Sequence, residues 1–257
     1  MRQDQLIIQM VRLMDGQLKR LGLDLRLTPY SVLATSATTG VMEMVLDSSP
    51  VSHVVERYAR RGTGAARGNA IMAFFQEHNP APDAPYGVAP DVMDTYVKST
   101  AGYCVITYLL GIGDRHLDNI MLRRDGHFFH IDFGFIFGRD PKPFPPPMRL
   151  TGEMIQGMGG YDSPNYARFK AYCCQAYNIL RRSSGLITVL LQLMRDAGIE
   201  DLHPDPTTTI AKVHEKFRVD VDDEEADKAF LRLVDDSVAA LFPAFLEVLH
   251  KMRVAMR

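Results

Sequence analysis

The run Gly111-Ile112-Gly113-Asp114-Arg115-His116-Leu117-Asp118-Asn119-Ile120-Met121-Leu122, continued by Arg123-Arg124-Asp125-Gly126-His127-Phe128-Phe129-His130-Ile131-Asp132-Phe133-Gly134, decides how this chain reads. Its first part, 113–119, is a polar loop following a long apolar helical pattern. Its second is two short apolar runs, 120–122 and 128–131, around Asp125-Gly126, a strong hairpin signal. Its third is Asp132-Phe133-Gly134, directly after the second run. In phosphotransferases a catalytic-loop Asp stands five residues before a metal-binding Asn, with D-F-G further on. Asp114, Asn119 and Asp132 reproduce that spacing. The chemistry explains the residue types, because Mg²⁺ wants hard oxygen ligands from one or two side chains plus phosphates and water. Asp132 supplies a carboxylate and Asn119 an amide oxygen, with the hairpin holding both at one end of a rigid ribbon. The loop reads Asp-Arg-His where protein kinases read His-Arg-Asp, which leaves His116 as a second proton acceptor beside Asp114. Taken alone, such a histidine is more often a core residue bonded to backbone.

Outward from this run the pattern is mainly helical. Leu6, Ile7, Met10, Val11, Leu13 and Met14 recur at helical spacing, so 4–21 is expected to be an amphipathic helix ended by Gly22. Two short apolar runs, 30–35 and 41–46, flank a Thr-Thr-Gly turn at 38–40 and predict an antiparallel pair. A Gly/Arg-rich stretch at 60–68 and a Pro-rich one at 79–90 read as loops around a short Phe-rich helix near 71–76. Pro90 suits a first helical turn, and the apolar face that follows runs to Gly111. Further helices are expected at 166–182 and 185–197. Asp222-Asp223-Glu224-Glu225 resembles the capped acidic first turn of a last helix, in which Pro243 should make a kink.

Composition narrows the classes. The chain has 257 residues, 29 Lys+Arg against 31 Asp+Glu, and 46% hydrophobic residues, which disfavours a disordered tail or a nucleic-acid-coating protein. The longest mostly apolar stretch, 101–113, is too short to span a bilayer, and the N-terminus lacks the layout of a secretory signal. Cys104, Cys173 and Cys174 form no C-x-x-C and read as buried core thiols of a soluble intracellular chain.

The run GIGDRHLDNIML…HIDFG resembles the catalytic and metal-binding loops of phosphatidylinositol 3- and 4-kinases and their large protein-kinase relatives. RQDQLIIQM, LRLTPYSVLATS, DTYVKSTAGYCVITYLLGIGDRHLDN and FGRDPKPFPPPMRLTGEMIQGMGG extend the likeness along essentially the whole chain, toward the class III phosphatidylinositol 3-kinases. The resemblance implies an α+β, kinase-like fold with a mostly helical C-lobe, a catalytic β-hairpin and the remnant of a β-rich N-lobe. Residues 1–48 would be partial N-lobe and hinge. Residues 49–257 would be C-lobe, with the catalytic loop at 113–119, D-F-G at 132–134, the activation loop at 134–154 and the last helices at 222–257. It implies that Asp114 and His116 serve the chemistry, with His116 the base for the inositol 3-hydroxyl, and that Arg115 buttresses the loop. Asn119 and Asp132 would hold Mg²⁺-ATP, with Mn²⁺ an alternative metal. Glu43 and Val45, in the hinge with Met42, would pair with adenine. Asp4 and Tyr30 would line the inner pocket, and Met121 and Ile131 its floor. Met and Ile taken singly are more often plain core.

Substrate choice is expected in the activation loop, whose prolines pre-set an extended backbone and whose cations are Arg139, Lys142 and Arg149. Relatives that use phosphorylated inositides carry a denser basic cluster there, so unmodified phosphatidylinositol in membranes is the implied substrate. The resemblance further implies a pseudokinase-like regulatory subunit, an autophagy-type scaffold subunit, no nucleic acid, and a cytoplasmic protein peripheral on endosomal and autophagosomal membranes. The family's phosphate-gripping loop and ATP-contacting lysine lie upstream of the segment matched by RQDQL. The chain alone is therefore expected to be inactive, with the apolar face of 4–21 short of a partner and a mobile N-terminal region. The tail, with Met252, Val254 and Met256 beside Lys251, Arg253 and Arg257, makes a weaker amphipathic anchor than the family's aromatic ending. The alternatives are a phosphatidylinositol 4-kinase, a related Ser/Thr kinase, or a non-catalytic C-lobe scaffold.

Overall fold

The computed structural model describes residues 1–36, 39–58, 68–143, 145–202 and 205–241. The loop expected at 60–68 therefore falls almost wholly outside the described residues. Thr38, Phe144, the Pro243 kink and the amphipathic tail lie outside them too. Helix α1 (Arg2–Arg20) leads to a two-stranded antiparallel ribbon, β1 (Val32–Ala34) and β2 (Gly40–Met42). Strand β3 (Ser48–Pro50) and helices α2 (Val51–Tyr58) and α3 (Ala70–His78) follow. Helix α4 (Pro90–Leu110) then runs into the catalytic hairpin, β4 (Ile120–Arg123) and β5 (Phe128–His130). Helices α5 (Gly152–Gly157), α6 (Pro164–Arg182), α7 (Ser184–Leu193), α8 (Pro206–Glu215) and α9 (Asp223–Leu241) complete the described chain. This mostly helical architecture with small antiparallel sheets is the α+β class that the sequence implied.

Helix α4 is the axle. Pro90 opens it, and Gly111 closes it in the left-handed conformation (φ +58) that lets the chain turn sharply into the catalytic loop. From Val92 to Leu110 nearly every side chain is buried, because α4 packs on α6 along one face and on β5 along another. Its few polar groups are consumed locally. Ser99 Oγ donates to the Thr95 carbonyl at 2.7 Å and accepts the Phe128 N–H at 3.0 Å, which pins the hairpin's second strand to the helix. Tyr96 and Tyr103 donate their hydroxyls to the carbonyls of Met154 (3.0 Å) and Thr28 (3.1 Å). All three cysteines are buried, as expected.

The hairpin carries a third strand that the sequence pattern did not reveal. β3 pairs antiparallel with β4 (Ser49 opposite Leu122), and β4 with β5 (Met121 opposite Phe129). Helices α2, α5 and α8 were missed as well, being short. The apolar face of α1 does have a partner, contrary to expectation. Leu6, Ile7, Ile8, Met10, Val11, Met14 and Leu18 are all buried, with α1 resting on β1 and on α6 of the helical body. The β1–β2 ribbon is different, with Leu33, Val41 and Met42 exposed on a sheet of two strands. Helix α9 begins as expected, with Asp222 Oδ1 accepting the Glu225 N–H at 2.8 Å before an acidic first turn.

One buried core residue is a histidine. His130 is 2% exposed, stacked on Tyr103 (ring centroids 5.2 Å), and neither ring nitrogen has a protein partner among the described residues. Burial, helped by the nearby Arg115 charge, pushes its pKa well below 6.5. The folded chain keeps this ring neutral where the unfolded chain takes up a proton, so stability falls as pH drops below 6.5. His130→Phe should therefore flatten the acid limb of denaturant-derived stability below pH 6.5 relative to wild type. Identical pH profiles for the two proteins would contradict a neutral buried imidazole.

Candidate active site

The hairpin brings the two ends of the motif together. Asn119 sits just before β4 and Asp132 just after β5, and the Ile131 N–H donates to the Asn119 carbonyl at 3.1 Å, closing the open end of the ribbon. Arg115 locks this closure from inside. Its Nε donates to the Gly113 carbonyl at 2.7 Å, Nη1 to Ile131 at 2.8 Å and more weakly to Asn119 at 3.5 Å, and Nη2 to the Asp132 carbonyl. The guanidinium lies 5.6 Å from the Phe133 ring centroid. Burial pushes its pKa down to about 10, against the pull of Asp132 and Asp114, so it stays charged at neutral pH. Through these contacts one side chain joins residues 113–119 to residues 131–132.

The chemical groups stand around that buttress. Asp114 and Asp132 both adopt positive φ (+49 and +58), unusual for side chains other than glycine. Asn119 Nδ2 donates to the Asp114 carbonyl at 3.1 Å, which turns its amide oxygen away as an acceptor. Asp132 Oδ1 accepts the Gly134 N–H at 3.2 Å. His116 is 40% exposed at its side chain, with Nε2 3.8 Å from Asp114 Oδ2 and Nδ1 3.4 Å from Asp118 Oδ2. Nδ1 is buried without a hydrogen-bond partner, and the ring stands between the two carboxylates. No group of three His, Cys, Asp or Glu able to hold a metal occurs among the described residues. A magnesium ion bridging to phosphates needs no such trio, and the Asn119 oxygen with the Asp132 carboxylate suits it.

Beside these groups lies a cavity of about 500 Å³, lined by Tyr30, residues 42–48, Met121, Phe129 and Ile131. Its lining is mainly apolar, with Glu43, Asp47 and Ser48 at its polar edge. The Glu43 carbonyl and Val45 N–H have no hydrogen-bond partner among the described residues, whereas the Glu43 N–H is spent on the Ser31 carbonyl at 2.8 Å. Tyr30 is buried with its hydroxyl unpartnered, and burial, reinforced by Asp4 and Asp132, raises its pKa beyond the usual tyrosine range. Unpaired donors and acceptors inside an apolar slot are what a heterocycle with polar edges would satisfy. Met42, Glu43, Val45, Tyr30, Met121 and Ile131 thus converge. Asp4 does not line the cavity. It sits behind it, accepting the Phe133 N–H at 3.1 Å. Phe129 was missed, although it is the cross-strand partner of Met121 and could have been read from the hairpin register.

Of the three expected substrate cations, two share a small cavity with Asp114. Lys142 and Arg149 line it together with Asp140, Pro145, Pro146 and Met148. Lys142 is exposed, and Arg149 is partly buried with Nε lacking a partner. Arg139 lies outside this cavity. Its guanidinium is paired with the carboxylate of Asp201, which is 4% exposed at its side chain and also accepts the Ile136 N–H at 2.8 Å. That pair ties the segment after D-F-G to Asp201, while the Arg139 side chain stays 52% exposed. Asp201, remote in sequence, offered no local signal.

Residues 1–203 match the family model described as Phosphatidylinositol 3- and 4-kinase. The chain is 50% identical over 98% of its length to a soybean (Glycine max) phosphatidylinositol 3-kinase, root isoform. It is likewise 50% identical to phosphatidylinositol 3-kinase VPS34 of Arabidopsis thaliana, and 44% identical to that of Saccharomyces cerevisiae. It spans 30%, 30% and 28% of the length of these three proteins. Arg115→Lys tests the buttress directly, since an ammonium cannot reproduce the planar fork and leaves buried carbonyls without donors. Denaturant unfolding should show a loss of about 2–4 kcal/mol, and nucleotide affinity should fall with it. A variant as stable as wild type would mean the guanidinium contacts are incidental.

Proposed function

The chain belongs to the phosphatidylinositol 3- and 4-kinase family, and we propose that it forms the catalytic centre of an enzyme phosphorylating the 3-hydroxyl of phosphatidylinositol with ATP. The observation that carries this reading is the convergence of Asp114, His116, Asn119 and Asp132 around the buried Arg115, beside a purine-sized cavity. The 44–50% identity to phosphatidylinositol 3-kinases over nearly the whole chain supports the choice of acceptor.

In this reading the hinge supplies the Glu43 carbonyl and the Val45 N–H to the base, while Met121, Phe129 and Ile131 form the floor beneath it. The Asn119 amide oxygen and the Asp132 carboxylate would hold a divalent cation, Mg²⁺ or Mn²⁺, which would supply positive charge to offset that of the transferring phosphoryl group. The acceptor oxygen forms its bond to the γ-phosphorus as the bond to the bridging oxygen of ADP breaks. His116 takes the hydroxyl proton, with Asp114 and Asp118 stabilising the imidazolium that results. Lys142 and Arg149, beside Asp114, meet the single phosphodiester of an unmodified headgroup.

No helix among the described residues is long and apolar enough to cross a membrane, and the enzyme works from the membrane surface, on endosomal and autophagosomal compartments. A pseudokinase-like regulatory subunit and an autophagy-type scaffold subunit complete the assembly, as the family likeness implies.

The test is made in the full-length protein on phosphatidylinositol vesicles with Mg²⁺-ATP. Asp132→Ala should abolish lipid phosphorylation at unchanged thermal stability. His116→Ala should lose turnover while ATP affinity is kept, because a base acts mainly on the chemical step. The product should be the 3-phosphate. A 4-phosphate product, or a fully active Asp132→Ala enzyme, would overturn the assignment.

A further inference from the structure

Asp114 holds a left-handed backbone (φ +49) in the middle of the catalytic loop, and such a conformation persists in a non-glycine residue only when its surroundings fix it. Its carbonyl is held from within the loop, by Asn119 Nδ2 and by the His116 N–H, both at 3.1 Å. Its N–H is held from outside. It donates at 2.8 Å to Oδ2 of Asp140, a residue of the substrate-facing loop 26 positions further on. The other Asp140 oxygen accepts the Lys142 N–H at 2.8 Å, so the carboxylate is oriented by its own loop before it grips Asp114.

The two loops are seated against each other by backbone pairing as well. Phe137 N–H donates to the Leu110 carbonyl at 2.9 Å, Gly138 to Gly111 at 2.8 Å, and Gly113 to Phe135 at 3.0 Å. A Cβ at Gly113 would collide with the Arg139 carbonyl and stand 2.9 Å from the Asp140 carboxylate, so only glycine permits this approach. Within the same stretch, Asp201 grips Ile136 and Arg139. The segment is thus fixed at its start, and Asp140 is the side chain through which it reaches the catalytic loop.

We propose that Asp140 is a positioning residue for phosphoryl transfer, its carboxylate clamping the Asp114 peptide so that the catalytic loop is set only when the substrate-facing loop is seated. This rests on the kinase reading above. It differs from a headgroup-binding role, because Asp140 is acidic and its oxygens are taken by two backbone donors. It also makes Lys142, which is next but one to Asp140 and faces the same cavity as Asp114, part of a unit that links lipid engagement to loop geometry.

The experiment compares wild type, Asp140→Ala and Asp140→Asn in the full-length protein. Turnover is measured on phosphatidylinositol vesicles with Mg²⁺-ATP, nucleotide affinity with a non-hydrolysable ATP analogue, and the clamp itself by amide hydrogen exchange at Asp114. With Asp140→Ala, kcat should fall by about tenfold or more and Asp114 exchange should rise by about tenfold, the weight of one hydrogen bond to a charged acceptor. Analogue affinity and melting temperature should stay at wild-type values. Asp140→Asn keeps one neutral acceptor and should fall between the two. Unchanged kcat or unchanged Asp114 exchange would overturn the proposal. So would a loss of turnover matched by equal losses of nucleotide affinity and melting temperature, the signature of general damage. A wild type that makes no phosphoinositide would defeat the kinase reading instead. The exchange measurement still decides the clamp in that case, since it needs no turnover.

Discussion

The guanidinium of Arg115 is the constraint on which the rest of the site depends. It is 9% exposed and faces backbone carbonyls, not a carboxylate partner. Burying a cation costs several kcal/mol, and hydrogen bonds to a charged donor return about 1.5–3 kcal/mol each. The bonds to Gly113, Ile131 and Asp132 roughly offset that cost, while the 3.5 Å contact to Asn119 adds little. The net stabilisation is therefore small, and what the arrangement supplies is geometry. Four carbonyls from two segments must converge on one planar fork, so the catalytic loop and the D-F-G segment are fixed relative to each other.

That fixing bears on backbone strain. Asp114 and Asp132 each occupy a left-handed conformation that costs a non-glycine residue about 1–3 kcal/mol. Arg115 grips the carbonyls of Gly113 and Asp132, one preceding the first strained residue and the other belonging to the second. Helix α4 delivers Gly111 and Gly113 to this point, and its Ser99 holds Phe128 so that the hairpin leaves in the right direction. The packing of α4 on α6 is thus connected to the chemistry by a short physical chain. Core burial sets the helix, the helix sets the loop, and the loop with the hairpin sets the oxygen atoms of Asn119 and Asp132 that the proposed function assigns to the cation.

Local spacing made the chemistry legible in the sequence, and distant pairing limited what else could be read. The hairpin, its turn, Pro90 as a helix start and Gly111 as its stop all follow from residues within a few positions of one another. Strand β3 was not legible, since Ser48-Ser49-Pro50 has no alternation and becomes a strand only by docking on β4. The buried face of α1 was misjudged because its cover, α6, begins at Pro164, far along the chain. The pairing of Arg139 with Asp201 was not legible for the same reason. A Pro-rich basic loop suggests free cations, and only the folded chain shows Asp201 taking one of them. Residues 42–45 were placed by likeness to a family, and the cavity then gave them a physical setting with Phe129 as an added wall.

Nitrogen-15 NMR of the arginine side chains, recorded on the protein without nucleotide, tests the central claim most directly. If Arg115 joins the two segments before any ligand binds, its Nε and Nη protons should give separate, slowly exchanging signals that persist near neutral pH. A single averaged signal exchanging with water as fast as those of exposed arginines would show that the guanidinium is not held, and that the site is assembled only by its ligands.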